Sequence, residues 1–556
     1  MAIYSNAYLI FTAAAAAVYY LTPGRWQWVS LLVFSILSYL SVGTQFFGYM
    51  LFSIVLTWAG ALAVESLEAK GREKAAGYVL IAALVLNFGM LGRIKYAAFA
   101  AENLNALLGT HFGAAQLLFP IGISFYTFQS SGYLLDVYWK RIAAEKNPLR
   151  HALFVSFYPQ ILQGPISRYT DLAPQLFAPH RPGLETIRRG LWRMLIGLFK
   201  KLVLADWAAI FVDTVWRSES TYGGCMIPGL LLFYVEIYMD FSGAMDIVIG
   251  TGELFGITMP ENFRRPYLAA SVSEYWRRWH ITLGAWMMNY VFFPLSLAKW
   301  TRKLGNAAKK RFGRPIGRAV PAAVSQMIVF LLVGVWHGAN WKYIIFGLCS
   351  GVAVAAEEFY AVWKKARAQK AAASGTAAAK RAAASGAAAE HRNTAAVTAA
   401  AGTASAGRTT ASGAAAAKRG ASSGAESAPG LIRRLPKILL TQAFVLLTFS
   451  FYASDDLPQS LRVLRLVFTR FSPAALLSVP AGRSGAAGAP GALLLIVAGT
   501  AAVVAVGCLK ETGRVPEHPE EALPEPVRFA AFVLLLVGIG ILGCTAAPKG
   551  FIYAQF

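Results

Sequence analysis

Charge is scarce in this sequence. Asp, Glu, Lys and Arg make up only 14% of its 556 residues, against roughly 25% in ordinary soluble domains. A chain this long cannot clothe a globular surface with so few polar groups, so a water-soluble fold is excluded. Acid is scarcer than base: 28 Asp and Glu face 52 Lys and Arg, for a net charge of +24. Cysteine is rare as well. Cys225, Cys349, Cys508 and Cys544 are far apart and three lie in apolar runs, which gives neither a disulfide framework nor metal-ligand spacing. No metal site and no bound cofactor are expected. No internal repeat is visible, which counts against an inverted-repeat transporter.

Apolar sequence is abundant. Hydrophobic residues make up 56% of the chain and the mean hydropathy is +0.49. Apolar runs fall near 7–22, 28–43, 45–64, 76–92, 117–136, 186–213, 227–250, 320–338, 341–362, 437–453, 491–509 and 528–546. Several approach the roughly 20 residues that cross a bilayer core. The expected class is an all-α polytopic, multi-pass membrane protein. The first run lacks a basic leader and a small-residue cleavage site, so it reads as a retained helix.

The basic excess reads as positive-inside topology and contact with membrane lipid, not as a nucleic-acid footprint. Lys70, Arg72 and Lys74 follow the third run, and Lys140, Arg141 and Lys146 follow the fifth. This alternation places the N-terminus outside; Arg93 and Lys95, at the far end of the fourth run, count against it. Two shorter runs, 152–162 and 281–297, are basic at both ends. A segment with two basic ends should not span, so both are expected to dip into the protein and return, as candidates for lining a site.

Residues 366–430 are Ala, Ser, Gly and Thr with scattered Lys and Arg. Such a stretch cannot bury enough surface to offset ordering entropy and reads as a disordered or fraying-helix insert on the cytoplasmic side. It divides a membrane-embedded core, 1–365, from C-terminal transmembrane helices of the same domain, 431–556.

Of seven histidines, His391 lies in the insert, while His111, His180 and His518 sit in loops. His151 opens a re-entrant-looking segment. His337 is different. It ends an apolar run in VFLLVGVWHGANW, between Gly334 and Gly338 and beside Trp336, Asn340 and Trp341. An ionisable group within a membrane segment is costly and is a functional candidate by default; a structural histidine at a helix end is the competing reading. His280 lies in SEYWRRWHITLGAW, where Glu274, Arg277, Arg278 and Trp279 crowd within two helical turns. Glu274 and Arg278 are spaced to pair, and an interfacial helix would use the same residues. Glu236, Asp240 and Asp246 sit inside the run 227–250 and need cationic partners, for which the arginines are the expected choice. In FYPQILQGPISRY, Pro159, Gly164 and Pro165 break helix ahead of Arg168, as in a bent element lining a site.

These residues carry a resemblance. QGPISRY at 163–169, YMDFSGAMD at 238–246, NFRRPY at 262–267, SEYWRRWHITL at 273–283, GVWHGANW at 334–341 and FIYAQF at 551–556 occur in this order. The chain resembles the membrane-bound O-acyltransferase (MBOAT) superfamily, alginate O-acetyltransferase type, along its length except for 366–430. The resemblance implies a ring of about 11–13 helices with re-entrant segments and a thin centre crossed by a tunnel, in keeping with the count of apolar runs. It implies that His337 is the membrane-embedded catalytic histidine and His280 the second one. It also implies an extracytoplasmic SGNH-type or related acetyltransferase as partner and a polysaccharide acceptor. Two features depart from the family pattern: Met288-Asn289 stands where a basic–Asp pair precedes Tyr290, and Ser296-Leu297 replaces Gly-Gly.

The expected activity is O-acetylation of an exopolysaccharide or cell-wall glycan, using acetyl-CoA or another cytoplasmic acyl thioester. A neutral imidazole at His337 suits the general base. Arg264, Arg265, Arg277 and Arg278 suit the donor's phosphates. Trp336, Asn340, Trp279, Glu274, Asp240, Asp246 and Arg168 are expected to line or support the site. The alternatives are D-alanyl transfer to teichoic acid on the same fold and, in a different class, transport of a glycan precursor.

Overall fold

A computed structural model of the chain describes residues 2–113, 120–394, 428–479 and 488–544. They form an all-α membrane protein; β-pairing among them is confined to an isolated bridge, Phe263 with Trp279. Eight described helices are long and apolar enough to cross a membrane, or nine if a bent pair is one span. Several of the expected runs are instead short helices inside the protein. Ile123–Tyr138 has almost no exposed residue, so its length need not match the bilayer.

Of the two runs expected to re-enter, 152–162 is broken within its length, whereas 281–297 is continuous and bends at its end. Ile281–Leu297 meets Lys299–Phe312 at 58°. Pro148–Ser156 stops at Phe157, where φ is −48° and ψ 109°, and Tyr158–Ile161 follows after the break. Residues 153–161 are buried throughout. The run 186–213 is divided by a π-helical segment, Phe199–Ala205, between Leu184–Leu198 and Asp206–Arg217. That segment carries Lys201 in the interior. The helix from Trp341 continues to Thr394, so the first part of the Ala-rich stretch is helical, in keeping with the high helix propensity of alanine. Residues 395–427 and the terminal FIYAQF lie outside the described residues.

Asp240, Asp246 and Glu253 of Met226–Leu254 are paired with cations, and the sequence expectation is corrected in one respect. Asp240 pairs with a lysine, not an arginine: Lys201 Nζ donates to Asp240 Oδ1 at 2.7 Å and lies 2.8 Å from Asp206 Oδ1. A compact ammonium suits the close approach of the two segments: a Cβ on Gly243 would lie 3.3 Å from Lys201 N. Asp246 takes Lys200 at 2.6 Å and Arg193 at 3.4 Å.

Arg314–His337 and Trp341–Thr394 form a close antiparallel pair that holds His337 at its turn. Their backbones meet at two glycines. A Cβ on Gly347 would run into the Phe330 carbonyl oxygen and lie 3.1 Å from Gly334 Cα. Overpacking of such a contact costs about 1–3 kcal/mol. Gly347→Leu is therefore expected to lower the thermal midpoint in detergent. Gly89→Leu, at a position where an added Cβ meets nothing within 4 Å, should leave the midpoint unchanged.

Candidate functional site

His280 sits on a backbone kink. Its φ of 47° and ψ of 52° are left-handed, a conformation that costs a non-glycine residue of order 1 kcal/mol or more. The preceding helix, Val272–Arg278, is fixed at its start by Ser271 Oγ, which accepts from Glu274 N at 3.1 Å. The Glu357 carboxylate accepts from Val272 N and Ser273 N at 2.7 and 2.9 Å. After the helix, Arg264 N donates to Arg278 O at 2.9 Å and Ile281 N to Asn262 O at 3.0 Å. The kink is thereby clamped between residues 262 and 264.

Asn262 also holds the imidazole. Its Oδ1 accepts from Thr282 N and from Thr282 Oγ1, both at 3.0 Å, and lies 3.2 Å from His280 Nδ1. A backbone N–H can only donate, so the carboxamide atom facing it is the oxygen. His280 Nδ1 must then carry the proton, and the neutral ring presents its lone pair at Nε2. Thr282 Oγ1 in turn accepts from Ile166 N at 3.0 Å. Three separated motifs, at 163–169, 262–267 and 273–283, thus converge on one histidine.

His337 ends its helix, and its Nδ1 lies 2.9 Å from the Tyr452 hydroxyl. Tyr452 comes from Ala428–Ala453, held alongside by Lys342, whose ammonium donates to Ser454 O. Both imidazoles are 3% exposed, deep enough that water does not compete with these partners. The Trp336 indole contacts both: its centre is 5.7 Å from that of His280 and 4.9 Å from that of His337. The imidazole centres therefore lie no farther apart than these distances laid end to end, about 10.6 Å. Trp336 Nε1 is buried with no hydrogen-bond partner among the described residues.

The remaining sequence candidates separate into groups. Trp279 is buried in an aromatic wall with Tyr275, Tyr234 and Phe263. Asn340 Oδ1 accepts from Lys342 N at 3.0 Å and caps the next helix. Trp341 turns outward to Asn103. Glu274 and Arg278 pair at 2.8 Å, and Arg278 also reaches Glu511 at 2.7 Å. Glu274 takes Arg434 as well. Arg265 is held by Glu511 and Glu517. Burial alone would raise the Glu517 carboxyl, yet hydrogen bonds and charge from Arg265 carry it below the ordinary carboxylate value. Arg265 and Arg278 are therefore already engaged, while Arg264 and Arg277 are exposed. Asp240 and Asp246 belong to the ion pairs described above.

Arg168 borders a cleft of about 130 Å³ that also touches Ser167, Thr282, Trp286, Asn289 and Tyr290. Arg168 approaches Asp136 to 3.8 Å, and Tyr290 donates to the same carboxylate at 2.8 Å. Asn289 lines the cleft, while Asp136 takes its charge partners from Arg141, at 2.9 Å, and Arg168. The cleft reaches Thr282, one hydrogen bond from the oxygen that orients His280. Among the described residues, no three His, Cys, Asp or Glu side chains converge as a metal site requires.

Sequence reasoning missed Asn262, Tyr452 and Lys95. Asn262 opens a motif in which only the arginines drew attention. Tyr452 carried no signal beyond a hydroxyl in an apolar run. Lys95 was visible only as an exception to the charge pattern.

The chain matches the family model described as "MBOAT, membrane-bound O-acyltransferase family" over residues 143–306. It is 34% identical over 360 residues to a probable alginate O-acetylase of Azotobacter vinelandii, covering 64% of this chain and 68% of that one. It is 32% identical to a peptidoglycan O-acetyltransferase of Helicobacter pylori, covering 61% and 65%. It is 26% identical to a teichoic acid D-alanyltransferase of Bacillus subtilis, covering 46% and 63%.

Removing the Tyr452 hydroxyl deletes one hydrogen bond, worth about 0.5–1.5 kcal/mol net, but frees the His337 ring. Tyr452→Phe is expected to fold with little loss of thermal stability and to lose about 10-fold or more in acyl transfer. Steady-state kinetics and a melting curve on the same preparation check both.

Proposed function

The chain belongs to the membrane-bound O-acyltransferase family, and we propose that it moves an acetyl group from a cytoplasmic thioester, acetyl-CoA, across the inner membrane for O-acetylation of an exported or cell-wall glycan. The observation that carries this reading is the pair of buried, individually oriented imidazoles in contact with one indole. Structural histidines need hydrogen bonds but have no reason to share a wall. The relatives named for alginate and peptidoglycan acetylation favour acetyl over D-alanyl as the group transferred.

In this reading the donor enters by the cleft at Arg168 and Thr282. Arg264 and Arg277, exposed nearby in sequence, meet its phosphates. The thioester passes His280, whose Nε2 positions the donor or relays a proton. With Nδ1–H given to the Tyr452 oxygen, His337 Nε2 keeps its lone pair and acts as the base. The acceptor oxygen attacks the thioester carbonyl carbon as His337 takes its proton. The tetrahedral intermediate then collapses, the C–S bond breaks, and the thiolate leaves with the proton returned by His337. The acceptor arrives from the outer side, presented by the glycan or by an extracytoplasmic SGNH-type transferase. The N-terminus lies outside, and residues 366–430 lie on the cytoplasmic face with no part in the chemistry.

The test uses membranes with matched protein levels, supplied with labelled acetyl-CoA or, separately, an aminoacyl carrier protein. Acetyl transfer is expected from acetyl-CoA alone. His337→Ala should lower it by about 100-fold or more, the scale of a lost general base. Transfer at the wild-type rate in that variant, or transfer only from the aminoacyl carrier, would contradict the reading.

A further inference from the structure

The charge pattern leaves Lys95 unexplained. In the orientation proposed above it ends Glu73–Lys95 on the outer side, where positive-inside topology disfavours a cation. Its ammonium does not turn to solvent as a loop lysine would. It donates to the carbonyl oxygen of Trp336, lies 5.7 Å from the centre of the Trp336 indole and 5.8 Å from that of Tyr96. Trp336 immediately precedes His337, and its indole contacts both histidines.

Two physical consequences follow. The carbonyl of Trp336 is among the last four of Arg314–His337, which have no acceptor role within their own helix. A cation donating there satisfies one of them and suits the negative end of the helix dipole. The same contact also sets the Lys95 amine, a cation when protonated, beside the wall of the transfer site, in surroundings that screen a charge far less than water does.

We infer that Lys95 is an electrostatic positioning residue of the transfer reaction, stabilising the alkoxide that forms on the thioester carbonyl. The inference rests on the acyl-transfer reading above. In that reaction the acceptor oxygen–carbon bond forms, the carbonyl π pair moves onto oxygen and the hydroxyl proton passes to His337. On collapse the pair returns, the C–S bond breaks and the thiolate takes the proton. The carbonyl oxygen bears full negative charge only between these events. A cation already fixed nearby needs no reorganisation to meet that charge, so it favours the transition state over the ground state.

Three substitutions separate charge from hydrogen bonding. Lys95→Arg keeps both, Lys95→Gln keeps a neutral donor, and Lys95→Met keeps neither. The full-length protein in lipid nanodiscs is assayed for kcat and for KM toward acetyl-CoA, with a thermal midpoint for each variant. Lys95→Arg should stay within about 3-fold of wild-type kcat. Lys95→Gln and Lys95→Met should each lose about 10- to 100-fold in kcat, with KM little changed and folding intact. The inference is overturned if Lys95→Gln keeps the wild-type kcat, because a hydrogen bond then suffices. It is equally overturned if Lys95→Arg is as slow as Lys95→Met, or if the losses track lowered midpoints. His337→Ala runs alongside. Wild-type transfer there removes His337 as the base on which the acyl-transfer reading rests, whereas a His337→Ala slowed about 100-fold with Lys95→Gln at the wild-type rate sinks only the role of Lys95.

Discussion

Three hydrogen bonds meet on one carboxamide oxygen, Asn262 Oδ1, and the candidate site is built outward from them. They hold His280 in a left-handed backbone that it would not adopt alone, and they decide which ring nitrogen carries the proton. Through Thr282 they join the bent element at 163–169 to the same point. Everything farther out presupposes this fixed ring: the indole against it, the second imidazole beyond that indole, and the cleft that reaches Thr282. An active-site histidine free to rotate would spend its binding energy on being ordered, and transfer reactions tolerate little misplacement.

The surrounding protein supplies the dry, rigid setting in which such bonds hold. Lys201 between Asp206 and Asp240 is a buried ion triad, and Arg193 gathers Asp246, Glu253 and Glu261. Pairs of this kind are weak evidence for net stability, because desolvation offsets much of the attraction. Their value is geometric. They fix the register of Leu184–Leu198 and Asp206–Arg217 against Met226–Leu254. A second network, Arg434 and Arg278 with Glu274 and Glu511, ties the helix before His280 to helices from the C-terminal part of the chain. The segments on either side of residues 395–427 are thus bound to one site.

Much of the architecture was legible because its cause is local. Apolar runs mark helices, and a glycine at 334 or a histidine at 337 stands out against them. Charge at both ends singled out two segments, and a break at Phe157 and a bend after Leu297 accompany them. The amphipathic helices Lys299–Phe312 and Leu457–Thr469 were not, since their polar faces hide them from a search for apolar runs. The site was legible as far as its histidines and the Trp336 indole that contacts both. Asn262 acts 18 residues from His280 and Tyr452 acts 115 residues from His337, and no periodicity encodes a contact across that separation. The arginines were legible in part: Arg278 takes Glu274, the pairing its spacing predicts, whereas Glu511, which engages both Arg265 and Arg278, lies more than 200 positions away.

The central claim is that the reacting thioester lies between two oriented imidazoles. The most direct measurement is an electron cryo-microscopy map of the full-length protein in lipid with a non-transferable thioether analogue of acetyl-CoA. The account predicts the pantetheine arm running past Thr282 and the carbonyl-equivalent carbon beside His337, close enough for a hydroxyl at about 3–3.5 Å to be shared between them. An analogue bound elsewhere, or His280 and His337 facing lipid in that map, would contradict it.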